Sequence, residues 1–257
     1  MLTFRNTNIF FGALLITILI LDAWFNVPVY LYLIVALIYC LLFFYGSYHV
    51  GSNFFVKVIC SADTPERFVA ISFDDGPLDK YTPQVLQVLK EHRVPAAFFC
   101  IGRRIVENKS LFRQVHEEGH IIGNHSYIHT PLFDFFPAKK MLEDVRMTDI
   151  AIKNSIGVQP KLFRPPYGIT TPAMKKVMAV GGYTVVGWNI RSFDTMASNE
   201  EKLLKKLIRL LRPGAVILLH DTQQITLSIL PRFIQSARNE GYEFVRLDKL
   251  LKIQGYA

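Results

Sequence analysis

The chain has 257 residues, of which 51% are hydrophobic and 19% charged, and its mean hydropathy is +0.24. That balance excludes a disordered chain and is more apolar than a purely soluble domain needs. Three cysteines, Cys40, Cys60 and Cys100, exclude a disulfide framework, and a net charge of +8, all of it outside the first 50 residues, suits an anionic partner.

The apolar residues concentrate at the start. Residues 9–25 read IFFGALLITILILDAWF and residues 27–45 read VPVYLYLIVALIYCLLFFY, with Asp22 the one charge. A membrane-spanning helix needs roughly 20 such residues, so both runs qualify. Asn26 and Pro28 break the helix between them, and Trp24, Tyr30 and Tyr32 suit an interfacial belt. A cleaved signal peptide is the rival reading, but Leu21-Asp22-Ala23-Trp24 is a poor cleavage site and a second apolar run follows at once. The pattern therefore predicts a retained two-helix hairpin over 1–50, an integral protein of a bacterial inner membrane. Arg5 and Lys57 flank the hairpin and its turn has neither Lys nor Arg, which biases the following domain toward the cytoplasm. So few charges leave the side of that domain open.

A linker is expected over 51–67 and a folded domain over 68–251. Short β-rich runs fall at 68–73, 96–101, 120–123, 161–164, 183–188, 215–220 and 242–246. Helical patterns fall between them at 83–92, 110–118, 137–155, 171–180, 199–211 and 227–240. Pro83 and Pro172 suit helix starts; Gly119, Gly181 and Gly241 suit helix ends. Alternation of this length predicts βαβ units and a parallel sheet, either a distorted (β/α)7 TIM-like barrel or an open doubly wound sheet. No Gly-x-Gly-x-x-Gly follows the first strand, which counts against a dinucleotide fold.

In parallel α/β folds the chemistry lies at the carboxyl ends of the strands. The first strand ends in Ser72-Phe73-Asp74-Asp75-Gly76-Pro77. A turn there would let one carboxylate bind a metal while the other stays free as a base. The third is followed by His125 and His129, whose i, i+4 spacing on a helical turn would aim both at a metal shared with Asp75. The fourth gives Arg164-Pro165-Pro166-Tyr167-Gly168, a rigid loop. Arg164 is placed to pair with Asp74 and lower its pKa, and Tyr167 to donate to an oxyanion. The sixth gives Leu218-Leu219-His220-Asp221: His220 is placed to donate a proton and Asp194 to hold it protonated, the plainer alternative being a capping group with Asp221 starting the next helix.

Together SFDDG, HSYIH, RPPYG, the segment from Trp188 to Asp194, and LLH, in this order, resemble the polysaccharide deacetylase family (the NodB-homology domain, carbohydrate esterase family 4). The resemblance covers about residues 68–251. It implies a distorted (β/α)7 barrel and a metal-dependent hydrolase that removes N-acetyl groups from amino sugars. It further implies Asp74 as catalytic base, Asp75, His125 and His129 as metal ligands, and Arg164 as the residue that orients the base. Tyr167 is implied as an oxyanion donor through its backbone amide, Leu218 as a wall of the acetyl pocket, His220 as catalytic acid and Asp194 as its tuning carboxylate. One position departs: the family usually has Trp after that Asp, and here it is Thr195, so the acyl group or substrate can differ. An N-deformylase or O-deacetylase stays open, as does a non-enzymatic glycan- or lipid-binding membrane protein. Zinc is the expected divalent metal, with cobalt, nickel or manganese as alternatives. The expected partners are an amino-sugar glycan or a lipid-linked saccharide, and the membrane. Lys202, Lys205, Lys206, Arg209 and Arg212 recur at helical spacing, but they read as a solvated face, and no nucleic-acid partner is expected.

Overall fold

The computed structural model describes residues 2–257. Its elements run α1 (Phe4–Phe25), α2 (Val29–Tyr48), β1 (Val58–Ile59), β2 (Phe68–Asp74), α3 (Thr82–Glu91), β3 (Ala96–Cys100), α4 (Gly102–Glu107), α5 (Lys109–Glu117), β4 (Ile121–Asn124), α6 (Ala138–Ile156), β5 (Leu162–Phe163), α7 (Pro172–Gly181), β6 (Thr184–Val186), β7 (Ile190–Arg191), α8 (Glu200–Leu210), β8 (Ala215–His220), α9 (Gln224–Asn239), β9 (Glu243–Phe244) and α10 (Leu247–Leu251).

The first two helices are each long and apolar enough to cross a membrane. Asn26, in the left-handed region, ends α1, and Pro28 precedes α2. Asp22 braces the turn: its carboxylate accepts from the Val27 N–H at 2.6 Å and the Tyr32 hydroxyl at 3.1 Å. The helices touch through Tyr39, which donates to Asn8 Oδ1 at 2.9 Å, and their outer faces leave Ile9, Leu19, Leu33, Leu37 and Leu41 exposed.

All seven expected strand positions carry strands, and every pairing in the sheet is parallel. The strand order is β1-β6-β5-β4-β3-β2-β8-β7. β6 and β7 are two halves of one segment bent at Gly187–Asn189. The first half pairs with β5 and the second with β8, so the sheet closes on itself as a barrel. A side chain at Gly187 could not fit the bend, because a Cβ there would lie 2.7 Å from Cys60 Sγ. The barrel is distorted at its seventh strand. β9 pairs only with Phe68 and Val69 of β2, below the stretch of β2 that pairs with β3. Within 51–67, read from sequence as a linker, Val58 and Ile59 add β1 alongside β6.

Alternation along the strands sorts the side chains into two layers. Val69, Ile71 and Phe73 of β2, with Ile217 and Leu219 of β8, pack outward against α3, α8 and α9. Ala70, Ser72 and Asp74, with Val216, Leu218 and His220, take the opposite face and point into the barrel. Helix ends follow the expected glycines with one shift: the left-handed residue closing α7 is Gly182, not Gly181.

Candidate active site

Because Asp74 and His220 are register partners on adjacent strands, both side chains emerge at the same level of the barrel mouth. Asp74 is buried. Its Oδ1 lies 2.7 Å from Arg164 Nη1, and that guanidinium donates further to Ser72 Oγ at 2.8 Å, the Val186 carbonyl at 3.2 Å and the Gly187 carbonyl at 3.0 Å. Phe99 covers its face at 3.9 Å. The expected pairing is present and pulls the carboxyl down as expected, but burial outweighs it. Burial raises the carboxyl above its ordinary value, and Arg164, then His220, pull against it without prevailing.

Asp75 turns away from its neighbour because its backbone is left-handed, with φ of 79°. The turn is held by its N–H donating to the Phe99 carbonyl at 3.2 Å and its carbonyl accepting from Arg104 at 2.8 Å. Its carboxylate then meets the two histidines. Asp75 Oδ1 lies 3.3 Å from His129 Nε2 and 3.7 Å from His125 Nε2. The histidines do not sit on a helical turn, as their spacing suggests. Residues 125–129 form a loop in which Ser126 and His129 are left-handed, with φ of 64° and 54°. The loop is pinned from α6: the Asp144 carboxylate accepts the Tyr127 N–H at 2.7 Å and the Ile128 N–H at 3.2 Å. Asn124 donates to the Val145 carbonyl and to Asp149, each at 2.8 Å, while its own oxygen accepts the Ser126 N–H.

The three donors suit a divalent ion. All three ligand atoms lie within 4.8 Å of one another. Ligands about 2.0–2.1 Å from a tetrahedral zinc stand roughly 3.3–3.4 Å apart, close to the spacing of Asp75 and His129. Asp75 Oδ1 is buried and has no hydrogen-bond partner, an orphaned acceptor that a cation would satisfy. His125 Nδ1 lies 2.8 Å from the Arg164 carbonyl, which fixes the tautomer with its proton on Nδ1 and the Nε2 lone pair toward the cluster. Burial, then the neighbouring His129, pushes the His125 imidazolium down to about 3, so the ring is a neutral donor.

On the far side His220 Nδ1 lies 2.7 Å from Asp194 Oδ1, and the His220 N–H donates to Oδ2, also at 2.7 Å. The Ser192 and Thr226 hydroxyls also donate to the Asp194 carboxylate, at 2.7 and 2.5 Å. Burial alone would raise Asp194, but these bonds outweigh it and hold the carboxylate below its usual range. Burial likewise lowers His220, and the Asp194 bond and charge overcome it to lift the imidazolium to about 9. Tyr167, left-handed with φ of 59°, sets its ring 4.9 Å from that of His129. Leu218 is buried on the inward face of β8, opposite Ser72, and the exposed Thr195 donates its N–H to Asp194 Oδ1.

All nine residues singled out in the sequence thus gather at one mouth. Sequence reasoning missed the residues that hold them: Ser72, Asn124, Asp144, Ser192 and Thr226. The plainer alternative for Asp221 does not hold. That residue does not cap the next helix, which starts at Gln224 with Gln223 before it. Asp221 is buried, accepts from Thr82 Oγ1 at 2.6 Å and fills the space over Gly76, where a Cβ would come within 2.1 Å of its carboxylate. Burial lifts it to about 7.

Parallel barrels carry their chemistry at this end, and the Asp-His-His cluster places this one among α/β barrels with a candidate metal centre at the mouth. Residues 61–186 match the polysaccharide deacetylase family. Peptidoglycan-N-acetylglucosamine deacetylase PgdA of Listeria monocytogenes is 32% identical over 202 residues, covering 79% of this chain and 42% of that protein. A peptidoglycan-N-acetylglucosamine deacetylase of Bacillus cereus is 33% identical over 192 residues, covering 73% of this chain and 89% of its own. The crystal structure of the Bc1960 peptidoglycan N-acetylglucosamine deacetylase superposes with a TM-score of 0.74 at 27% identity, covering 78% of this chain and 95% of that one. The chain belongs to the polysaccharide deacetylase family. It spans about two-fifths of the length of the Listeria relative.

Proposed function

We propose that the protein is a membrane-anchored, metal-dependent hydrolase that removes N-acetyl groups from the amino sugars of a glycan or a lipid-linked saccharide. The observation that carries this reading is the placement of Asp74 and His220, an arginine-held carboxylate and a carboxylate-held imidazolium, as register partners beside the Asp75-His125-His129 cluster. Peptidoglycan relatives supply the amino-sugar class. The two exposed apolar helices supply the anchor.

A divalent ion held by Asp75, His125 and His129, most readily zinc, supplies Lewis-acid polarisation and an acidified water at neutral pH. Asp74 accepts a proton from the attacking water, with Arg164 fixing the position of its carboxylate. Water oxygen bonds to the amide carbon, and the Tyr167 backbone N–H donates to the carbonyl oxygen as negative charge develops there. His220, held as the cation by Asp194, gives its proton to the sugar nitrogen as the carbon–nitrogen bond breaks. Acetate and a free amino sugar leave. Leu218 walls the acyl pocket.

The test is acetate release by the full chain in detergent, from N-acetylated chitooligosaccharide and from a lipid-linked N-acetyl amino sugar. Chelator should abolish release, zinc should restore it, and Asp74→Asn should lose it with metal still bound. No release from either substrate by metal-loaded protein would sink the deacetylase reading. Failure to bind metal would leave a non-enzymatic glycan- or lipid-binding protein. Thr195 supports a narrower second reading. It stands exposed where the family resemblance implies Trp, which would leave one wall of the acyl pocket small and polar. Formate release from an N-formyl substrate, or acetate from an O-acetyl one, measured in the same assay, distinguishes these acyl groups.

A further inference from the structure

The last turn of α2 is docked on the loop that carries Tyr167. Thr170 donates its N–H to the Ser47 carbonyl at 3.0 Å and its hydroxyl to the Gly46 carbonyl at 3.3 Å. Gly46 lies so close to Phe54 that a Cβ would sit 2.2 Å from its ring. Between this helix end and the barrel mouth lies a cavity of about 360 Å³, lined among others by His49, Tyr167, Trp188, Arg191 and Arg212. Tyr167, part of that lining, sets its ring 4.9 Å from the ring of His129, one of the candidate metal ligands, tilted by 52°.

The two arginines are unneutralised. Among the described residues neither has a carboxylate within ion-pair distance. Arg212 reaches only the Asn189 carbonyl at 3.2 Å, and Arg191 lies over the rings of Trp188 and Phe193 at 5.6 and 4.6 Å. Guanidinium groups bind phosphate through paired donors, so two of them without counter-charge suit the cavity to an anion. Along α2 from this cavity the exposed Phe44 and Tyr48 stack at 5.6 Å and continue an apolar track. The cavity with both arginines thus lies between Tyr48 of the apolar track and Tyr167 beside the candidate metal centre.

Building on the proposed hydrolase, we propose that its substrate is an amino sugar linked through phosphate to an isoprenoid-type lipid: the tail lies along α2, the phosphate on Arg191 and Arg212, and the sugar at the metal centre. The order of these three elements matches the order of groups in such a molecule.

The test uses the full chain in phosphatidylcholine nanodiscs, with Trp24→Phe leaving Trp188 as the sole tryptophan. Titrating geranylgeranyl phosphate should shift Trp188 emission saturably. The Arg191→Gln/Arg212→Gln double variant should weaken that binding about tenfold or more, the loss expected for charge-assisted hydrogen bonds. The double Lys variant, which keeps the charge, should recover part of it and controls for folding. Geranylgeraniol should bind no better to wild type than to the double Gln variant. Unchanged affinity in the double Gln variant overturns the site. So does an equal response to inorganic phosphate or to phosphatidylglycerol, which would make it a general anion or headgroup site. Acetate release from soluble and lipid-linked substrates in the same preparation reports the hydrolase separately. Release without arginine-dependent binding overturns the phosphate site alone. Arginine-dependent binding without release from either substrate overturns the hydrolase and the substrate assignment with it.

Discussion

At His220 burial and hydrogen bonding act in opposite directions, and the bond to Asp194 decides the outcome, holding the imidazolium to about 9. If His220 delivers the proton to the leaving amine, kcat/KM should fall on an alkaline limb near pH 9. Asp194→Asn removes the charge and should move that limb below pH 7, with kcat down roughly 10²–10⁴-fold. A limb that stays near 9 would assign it to another group. The same shift predicts a stability change. A folded pKa above the ordinary 6.5 stabilises the protein fully below about 6.5, and that contribution is lost as pH rises through about 9. Wild type should therefore lose more melting temperature between pH 6 and pH 10 than His220→Gln does. Arg164 is the second residue to probe, since Arg164→Met strands Asp74 as a buried, unpaired carboxylate. Breaking a buried pair this way costs about 3–5 kcal/mol, readable by denaturant titration. The Arg164–Asp74 pairing could be read from strand-end positions alone. The net outcome at Asp74 could not, because the burial that outweighs the arginine exists only in the folded barrel.

The loop 125–129 shows how an element carries residues that its own sequence does not orient. Left-handed backbone at Ser126 and His129 costs about 1–3 kcal/mol at each non-glycine position. Something outside the loop must offset that cost, and the Asp144 carboxylate on α6 does so by taking two successive N–H groups. Asp144→Ala should therefore lower zinc affinity about 10–100-fold with both histidines intact, as loss of a supporting partner typically does. Competition against a chelator measures it; unchanged affinity would mean that the loop holds itself. No local signal could have revealed this, since Asp144 stands 17 residues from Tyr127. The seven strands were legible for the opposite reason. Parallel strands buried on both faces read as continuous apolar runs such as AVILLH in β8 and AAFFC in β3. Short elements escaped that reading: β1 has two residues and α4 six, too few to show a period. The i, i+4 spacing of the histidines brought them together as expected, but through strained loop geometry rather than a helix.

At the scale of the whole molecule, the hairpin and the barrel form one geometric argument about access. The Phe4 N–H, at the start of α1, donates to the Phe54 carbonyl just beyond α2 at 2.9 Å, so both helix ends meet at the barrel. With 22 and 20 residues, the helices span about 33 and 30 Å at 1.5 Å per residue, matching a hydrocarbon core of about 30 Å. The two apolar runs were plain in the sequence because composition alone reveals them. Their docking was not, because it depends on Gly46 leaving room for Phe54 and on Thr170 meeting the end of α2. A retained hairpin predicts that the chain stays with the membrane fraction through an alkaline carbonate wash. A cleaved signal sequence would instead release a barrel lacking α1. Sidedness follows from charge: Arg5 and Lys57 flank the hairpin at the barrel end, and the short turn from Asn26 to Pro28 carries no cation. A positive-inside orientation predicts a cytoplasmic barrel, where a lipid-phosphate sugar, rather than assembled wall glycan, would meet the mouth. Protease added to intact spheroplasts should therefore leave the barrel whole and digest it only after lysis. Digestion before lysis would place the mouth outside, beside the wall, and make the glycan the substrate to pursue.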